Sequence, residues 1–289
     1  MTAKDWLQKA QDEGFAIGAF NVGNLETFEA IVAAAVVKQS PIIIESSPGE
    51  TKWMGAANIT DAAKNFSQET GIPIFVNLDH SETLDDCRIG IKADYQLIHF
   101  DGHELSLEDN ITATKTIVAE AHMKGLLVEG EIDRMARKSS EAYKEPLTEE
   151  EIKLGYTKPE RAKEFVEKTG VDTFAAFFGN SHGTYPGGQP PLNLELLAEL
   201  RRVLPNTFLS MHGGSGIEAK QVAEAIKMGK IVKINVNTDL RVAWRSGVEE
   251  TFKANPDALA LYKIFPPAIR KVQDVVERWI NICGSVNKI

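Results

Sequence analysis

Cysteine is scarce in this sequence, and positive charge is outnumbered by negative charge. Only Cys87 and Cys283 are cysteines among its 289 residues, which excludes a disulfide framework and a cysteine-based zinc cluster. Thirty-two lysines and arginines stand against 41 aspartates and glutamates, and the formal net charge is −9. Such a field repels nucleic acids and anionic membranes, so neither is an expected partner. A phosphate-bearing substrate would need a strong local attractor.

Long apolar runs are missing as well. The longest unbroken one, residues 30–37, is far shorter than the roughly 20 residues that cross a membrane. The chain turns polar and acidic at Lys4 and Asp5, unlike a secretory signal peptide. We therefore expect a cytoplasmic location.

The sequence does contain a regular alternation of two patterns. Short runs rich in valine, isoleucine and phenylalanine alternate with longer stretches of helical period. The predicted strands are residues 16–20, 41–45, 74–78, 95–100, 126–132, 173–178, 208–211 and 231–236. The predicted helices are residues 25–38, 56–70, 83–92, 107–124, 159–169, 194–203, 218–228, one from about 240, and about 267–282.

This order gives eight βα units and a C-terminal helical extension at about 256–289. It predicts a (β/α)8 TIM barrel of the α/β class, with residues 1–289 as a single domain. Length alone would also suit two domains of about 150 residues. The second choice of fold, a doubly wound open sheet, is disfavoured because the first βα turn lacks a Gly-x-Gly-x-x-Gly fingerprint.

A polar insertion at about 133–157 interrupts the alternation after the fifth strand. It contains the sequence RKSSE at 137–141 and three glutamates at 149–151. Long loops in compact domains are often mobile lids. A solvated surface excursion is the equally open alternative.

Three of the six histidines follow predicted strands. His80, His182 and His212 come after the third, sixth and seventh strands, at the end of the barrel where active groups lie. Three imidazoles that leave an open position are typical of a catalytic zinc site, with another divalent metal as second choice. The alternative is three separate structural histidines. We interpret His99, inside a strand, and His122, inside a helix, as structural, while His103 is ambiguous.

Carboxylates accompany these histidines at the strand ends. Asp79 is a candidate general acid or base, or else a carboxylate that holds a histidine tautomer. Asp101 follows the fourth predicted strand, and Glu131 lies on the fifth. They are candidates for a second metal position, or they only satisfy polar groups at the barrel mouth.

Two glycine- or amide-rich turns open directly into helices. Gly213, Gly214 and Ser215 precede the seventh helix, and Asn237 and Thr238 precede the eighth. Backbone N–H groups and a helix N-terminus attract anions, and these two loops are where such barrels commonly hold phosphate. Ordinary turns with helix caps are the alternative.

Lys233 suggests a competing chemistry, because a lysine on a barrel strand can form a Schiff base with a carbonyl substrate. It shares a face with Asn235, two residues further on, but lies deeper in the barrel. This depth disfavours the Schiff base.

The chain resembles the class II, metal-dependent fructose-bisphosphate and tagatose-bisphosphate aldolases over about residues 15–248. The matching stretches are 18–26, 78–80, 101–102, 128–131, 179–183, 212–216 and 233–239, which read GAFNVGNLE, LDH, DG, VEGE, GNSHG, HGGSG and KINVNTD. This family reversibly cleaves a ketose phosphate to dihydroxyacetone phosphate and an aldehyde through a zinc-stabilised enediolate. The resemblance implies a lyase that forms homodimers or homotetramers.

The resemblance also implies roles for single residues. His80, His182 and His212 would hold Zn²⁺ or another divalent metal, with Asp101 and Glu131 near an alternative metal position. Asp79 would shuttle a proton at the aldehyde-derived hydroxyl, and Asn235 would contact the enediolate. The phosphate cradle, with a bound Na⁺ or K⁺, would comprise Gly183, Gly213, Gly214, Ser215, Asn237 and Thr238. Asn24 and Ser47 would lie on the aldehyde side.

Two departures from the family pattern leave alternatives open. The Gly-Gly and acidic loop that supplies the family's base is absent after the fifth strand, and we place Glu141 in that role. The family's Asp-Pro-Arg, which grips a distal phosphate, is replaced by Asn255-Pro256-Asp257. Either Arg134 or Arg137 substitutes, or the substrate is a different, singly phosphorylated ketose. A zinc hydrolase and a catalytically inactive sugar-phosphate-binding barrel are the further alternatives.

Overall fold

A computed structural model shows eight parallel strands closed into a barrel in the order β1 to β8. It describes residues 1–134, 144–145, 147–183 and 189–289. The strands are β1 (Ile17–Asn21), β2 (Ile42–Ser46), β3 (Ile74–Ser81), β4 (Leu97–Asp101), β5 (Leu127–Glu131), β6 (Thr173–Ala175), β7 (Phe208–Met211) and β8 (Ile231–Val236). β1 pairs with both β2 and β8, which closes the ring. The predicted (β/α)8 barrel is confirmed.

Helices surround this barrel. They are α1 (Ala3–Glu13), α2 (Leu25–Lys38), α3 (Pro48–Met54), α4 (Ala56–Thr70), α5 (Leu84–Lys92), α6 (Leu107–His122), α7 (Glu149–Leu154), α8 (Pro159–Thr169), α9 (Leu194–Val203), α10 (Ala219–Gly229), α11 (Thr238–Ala254), α12 (Leu261–Ile264) and α13 (Pro266–Cys283). None of the helices in these ranges is long and apolar enough to cross a membrane.

Helix α1, which the periodicity did not predict, closes the N-terminal end of the barrel. Thr2 and Asp5 form a capping box at its start, and Gly14 ends it in the left-handed region, φ 71°. The buried Trp6 and Leu7 pack against strand residues that point into the barrel, such as Ile17. The site must therefore lie at the opposite, C-terminal end.

Helix α13 covers the barrel between α2 and α11. Trp279 on α13 is buried, and its indole Nε1 donates to Asp239 at 2.9 Å. The C-terminal segment returns to α1. There Lys288 Nζ lies 2.8 Å from Glu13 Oε2, and Lys9 Nζ donates to the Lys288 carbonyl at 3.1 Å. Both termini therefore meet near the closed end of the barrel.

The described part of the polar insertion is not wholly solvated. α7 begins with a capping box at Thr148, and its Ile152 is 1 % exposed. Ile152 packs with Leu147 and with Phe177, which follows β6. Two further elements escaped prediction: the short α3 and α12 carry too few periodic residues to stand out. β6 ends at Ala175, three residues before the predicted end at 178, because the chain there turns into the loop that carries His182.

Candidate active site

Strand β3 delivers Asp79 and His80 to the C-terminal end of the barrel through an irregular backbone. The predicted strand stops at 78, but β3 continues to Ser81 with a register shift against β4 between Leu78 and Ser81. His80 has a left-handed φ of 47°, which is uncommon for a residue other than glycine. Backbone strain of this kind persists only where the surroundings hold it.

The three predicted metal ligands meet at His80. Its Nε2 lies 2.9 Å from His212 Nδ1 and 3.3 Å from His182 Nε2. His212 is fully buried, whereas the His80 side chain is 25 % exposed. The strand ends thus bring together imidazole nitrogens that are far apart in sequence.

Carboxylates fix which nitrogens of the cluster carry protons. Glu129 Oε1 accepts from His212 Nε2 at 2.6 Å, and Asp101 Oδ2 accepts from His80 Nδ1 at 2.7 Å. His212 Nδ1 therefore presents a lone pair to the cluster. Burial lowers the pKa of His212 to about 4 against the attraction of Glu129, and burial and the His80 charge lower the pKa of His182 well below its ordinary value.

His80 is the basic member of the cluster. Burial opposes its charged form, but Asp79 and Asp101 prevail and raise the pKa of His80 to about 9. A proton on Nε2 then bonds to the lone pair of His212. A divalent cation is the natural competitor for that proton, because metal binding requires neutral imidazoles. His80 and His212, each held by a carboxylate at its other ring nitrogen, fit a metal ion.

Carboxylates extend the donor set. Two groups of described residues hold potential ligand atoms within 4.8 Å of one another: Asp79, His80, His99 and His212, and His80, Asp101 and Glu131. Neither includes His182, which meets the cluster at His80. Glu131 Oε2 is buried 3.2 Å from His99 Nε2, without the alignment of a regular hydrogen bond in the described part of the chain. An oxygen in that position suits a cation.

Asp79 is an ionised carboxylate beside the cluster. Its Oδ1 accepts from Asn235 Nδ2 at 3.0 Å and its Oδ2 from Asn21 Nδ2 at 3.1 Å. Burial opposes ionisation, but the His80 charge and the neighbouring imidazoles hold the pKa of Asp79 well below its ordinary value. Asp79 therefore presents an ionised carboxylate at its own end of the cavity.

The two predicted phosphate loops line the same cavity as Asp79. Its lining residues are Asn21, Asp79, His182, Gly213, Ser215, Asn235, Asn237 and Thr238. Gly213 has φ 64°, and α11 begins at Thr238 without a side-chain cap from Asn237. The first turn of α11, where the Asp239 N–H donates to Ser215 Oγ at 3.3 Å, therefore lies at the cavity with the positive end of its helix dipole.

Gln189 organises these loops, and sequence reasoning missed it. Its amide nitrogen donates to the carbonyls of Ser181, Gly213 and Ser215 at 2.7, 3.1 and 2.6 Å, and its oxygen accepts from the Ser181 N–H at 3.0 Å. A glutamine that follows the loop after β6 carries no pattern that would single it out.

A second cavity adjoins the first on the side of β1. It is lined by Asn21, Gly23, Asn24, Thr27, Glu50, Asn237, Leu240, Arg241 and Trp244. Arg241 Nη2 donates to Glu50 Oε1 at 2.9 Å. The Asn24 side chain caps α2 by accepting from Thr27, and the Ser47 hydroxyl caps α3 and donates to Glu50. Asn24 thus lines this cavity, whereas Ser47 supports it through Glu50.

The remaining predicted residues fall in four places. Gly183 follows His182 with φ 96°. Glu141 and Arg137 lie outside the described residues, and the exposed Arg134 lies 3.4 Å from Glu104. Lys233 is fully buried below the site, 2.7 Å from Glu129 Oε2 and 3.1 Å from Glu45 Oε1.

The other histidines divide as follows. His122 pairs with Asp172 at 2.8 Å on the surface, and His103 Nδ1 lies 2.6 Å from Asp101 Oδ1. His99, interpreted from sequence as structural only, is buried in the cluster, with its ring centroid 4.7 Å from that of His80. The signal that would have found it is its parity: it precedes Asp101 by two residues and so shares its inward face.

Comparisons with known proteins agree with this barrel. Residues 1–288 match the family model described as fructose-bisphosphate aldolase class-II. A fructose-bisphosphate aldolase from Streptococcus pyogenes serotype M1 is 36 % identical over 301 residues, covering 100 % of this chain and 99 % of that protein. The chain therefore belongs to the class II fructose-bisphosphate aldolase family, whose members are metal-dependent, and it is a lyase that cleaves a ketose phosphate.

Solved structures give the same result for the fold. The YdjI aldolase from Escherichia coli K12 superimposes with a TM-score of 0.82 at 27 % identity, covering 100 % of this chain and 98 % of that one. A fructose-bisphosphate aldolase from Campylobacter jejuni gives 0.83 at 23 % identity, covering 99 % and 95 %. The second likeness bears on the fold alone.

Proposed function

We propose that this chain is a zinc-dependent aldolase that reversibly cleaves fructose 1,6-bisphosphate or tagatose 1,6-bisphosphate to dihydroxyacetone phosphate and an aldehyde. The observation that carries the proposal is the meeting of His182 and His212 at His80 Nε2, 3.3 and 2.9 Å away, beside a cavity that Asp79 and both phosphate loops line. Zn²⁺ held by these three histidines would polarise the substrate carbonyl.

The chain's own groups supply the rest of the chemistry. The Asp79 carboxylate would take the proton of the hydroxyl next to the breaking bond and return it in the reverse direction. The Asn235 amide, which donates to Asp79, would orient the reacting oxygens. Gly213, Ser215 and the start of α11 would hold the phosphate of the dihydroxyacetone half, together with a Na⁺ or K⁺ ion. The base that moves the carbon-bound proton is proposed to be Glu141.

A singly phosphorylated ketose is the second candidate. The cavity on the aldehyde side contains the ion pair of Arg241 and Glu50, whose formal charges cancel. The sequence lacks the Asp-Pro-Arg motif with which the family grips a distal phosphate, and Arg134 lies beside Glu104. A neutral, hydroxylated aldehyde end would suit such a lining.

One panel of substrates tests both candidates. Release of dihydroxyacetone phosphate would be followed by its reduction with NADH, starting from fructose and tagatose bisphosphates and their 1-phosphates. We expect turnover that a chelator abolishes and added Zn²⁺ restores. Full activity after complete metal removal would refute the zinc mechanism, and no turnover of any ketose phosphate would favour the inactive barrel or a hydrolase.

Substitutions of single histidines provide the controls for this panel of substrates. We expect His212→Ala to lose both bound zinc and activity, because it removes one ligand and its carboxylate-held tautomer. His122→Ala changes a surface histidine of the same type and should retain both. Equal zinc content in the two variants would contradict the assignment of His212.

The chain is also proposed to form a homodimer or homotetramer. Leu259 and Tyr262 expose 90 % and 77 % of their surface near the C-terminal helices, and exposed apolar side chains of this size are often covered by a partner. Sedimentation equilibrium of the purified protein decides this, since a monomer at every concentration would contradict it.

A further inference from the structure

The irregularity of β3 is an extra residue placed opposite His99. β3 and β4 pair regularly at Asn77 with Leu97 and at Leu78 with Ile98, and pairing resumes at Ser81 with Phe100. Two residues of β3, Asp79 and His80, therefore face one residue of β4. This two-against-one count is a β-bulge, a device that re-aims side chains beside active sites.

The imidazole of His99 replaces the hydrogen bond that the bulge removes. The backbone N–H of His80, which has no regular partner in the shifted ladder, donates to His99 Nδ1 at 3.1 Å. A backbone nitrogen always carries its hydrogen, so Nδ1 accepts and the imidazole proton lies on Nε2. Nε2 faces Glu131 Oε2 at 3.2 Å. His99 Nδ1 is thus an oriented acceptor for the His80 backbone.

Burial fixes this acceptor in place. The His99 side chain is fully buried, and its ring lies against those of His80 and His212, with centroids 4.7 and 4.9 Å away. The N–H that donates to His99 belongs to His80, which has a left-handed φ of 47°. The same residue presents its Nε2 to His212 and His182. A shift of the His80 backbone would move both His80 and Asp79.

We propose that His99 is a positioning residue, whose Nδ1 holds the His80 backbone in the bulge and so aims Asp79 and His80 into the site. The role in activity rests on the proposed function, whereas the role in holding the bulge does not. The simpler alternative is that His99 serves only as a neighbour for Glu131 through Nε2. The two nitrogens can be tested separately.

Three substitutions separate them. His99→Asn keeps an acceptor near the position of Nδ1, His99→Gln places its amide near Nε2 instead, and His99→Leu removes both. Hydrogen exchange of the His80 amide, zinc affinity by competition with a chromophoric chelator, and kcat against KM are measured for each. Thermal unfolding establishes that each variant is folded.

We expect the Asn variant to retain protection of the His80 amide and zinc affinity. The Gln and Leu variants should lose about 10-fold to 100-fold in zinc affinity, the usual cost of losing a group that orients a ligand. Their kcat should fall more than KM rises, and the His80 amide should exchange faster. Retention by Gln with loss by Asn, or equal loss in all three, would overturn the proposal.

Two measurements keep the test decisive. If no ketose phosphate is turned over even by the unsubstituted protein, the proposed function fails, yet amide exchange and zinc affinity still decide the role of His99. If the variants do not fold, the unsubstituted protein is examined alone. Its His80 amide must then exchange as slowly as the paired amides of β3, and exchange at the rate of a surface loop would overturn the proposal.

Discussion

Lys233 is a charged residue with no exposure to water at the centre of the barrel. Burial alone would lower the pKa of its ammonium, but Glu129 and Glu45 prevail and raise it. Burial raises the pKa of Glu45 to about 8 against the attraction of Lys233. Near neutral pH the group of Lys233, Glu45 and Glu129 therefore contains one cation and one carboxylate. That carboxylate is Glu129, which also orients His212. A lysine held in this state is a poor nucleophile for a Schiff base.

Lys233→Met tests this ion pair. The substitution leaves the Glu129 carboxylate buried without its cation, and we expect it to reduce the free energy of unfolding by about 3–5 kcal/mol. Lys227→Met on the exposed face of α10 is the matched control and should change stability little. Urea titration measures both. Adding Glu129→Gln should recover part of the loss, and additive losses would show that the pair is not coupled.

The two cysteines give a prediction about pH. Burial raises the pKa of both Cys87 and Cys283 to about 12, and each side chain is at most 1 % exposed. At pH 8 a thiol with such a pKa is about one part in ten thousand thiolate, the reactive form. We expect neither thiol to react with a disulfide reagent until the protein is unfolded. Rapid reaction of one equivalent in the native protein would contradict this burial.

At the scale of elements, the loop after β7 depends on a close approach. A Cβ built on Gly213 would lie 2.4 Å from the Ser181 carbonyl oxygen, and φ is 64°. At Gly216, with φ 84°, the nearest heavy atom is 3.7 Å away. The two glycines share a left-handed backbone but differ in the space around them.

Alanine at each position separates strain from collision. Gly216→Ala should cost about 1–2 kcal/mol of stability from its left-handed φ alone. Gly213→Ala should cost more and should also lower kcat/KM by at least about 10-fold, because it pushes apart the loops that carry His182 and Ser215. Urea titration and steady-state kinetics measure both variants. Equal effects would show that the approach to Ser181 is unimportant.

The elements also show what sequence reasoning could reach. The eight strands were predictable because strands buried on both faces read as short apolar runs. The β3 bulge was not predictable, because glycine usually signals a left-handed φ and residue 80 is a histidine. His99 was set aside for its place inside a strand, and Gln189 acts through a fold-dependent contact with three carbonyls. Helix α1 was missed because its few apolar residues contact a barrel end that only the closed sheet creates.

For the whole molecule, the two ends of the barrel serve different purposes. The closed end carries α1 and its buried Trp6, and the open end carries the histidines. We expect Trp6→Ala to reduce the free energy of unfolding by about 3–5 kcal/mol while leaving zinc affinity and KM unchanged. Thermal unfolding and zinc competition measure this. A change in zinc affinity comparable to that of His212→Ala would contradict the separation.

The net charge of −9 likewise acts at this scale. Its field disfavours anions in general, whereas the open end presents glycine-loop amides, the start of α11 and the basic His80. A phosphorylated sugar therefore meets attraction only at close range. The local attractor that the composition demands is available at the mouth of the barrel.

The meeting of the two chain ends has a topological consequence. Because Lys288 contacts both Glu13 and Lys9, the backbone is almost a closed loop. A short flexible link could join residues 1 and 289, and new ends could be opened in an exposed connection elsewhere. A circular permutant built this way would preserve all eight strand pairings, since a ring of strands has no first member.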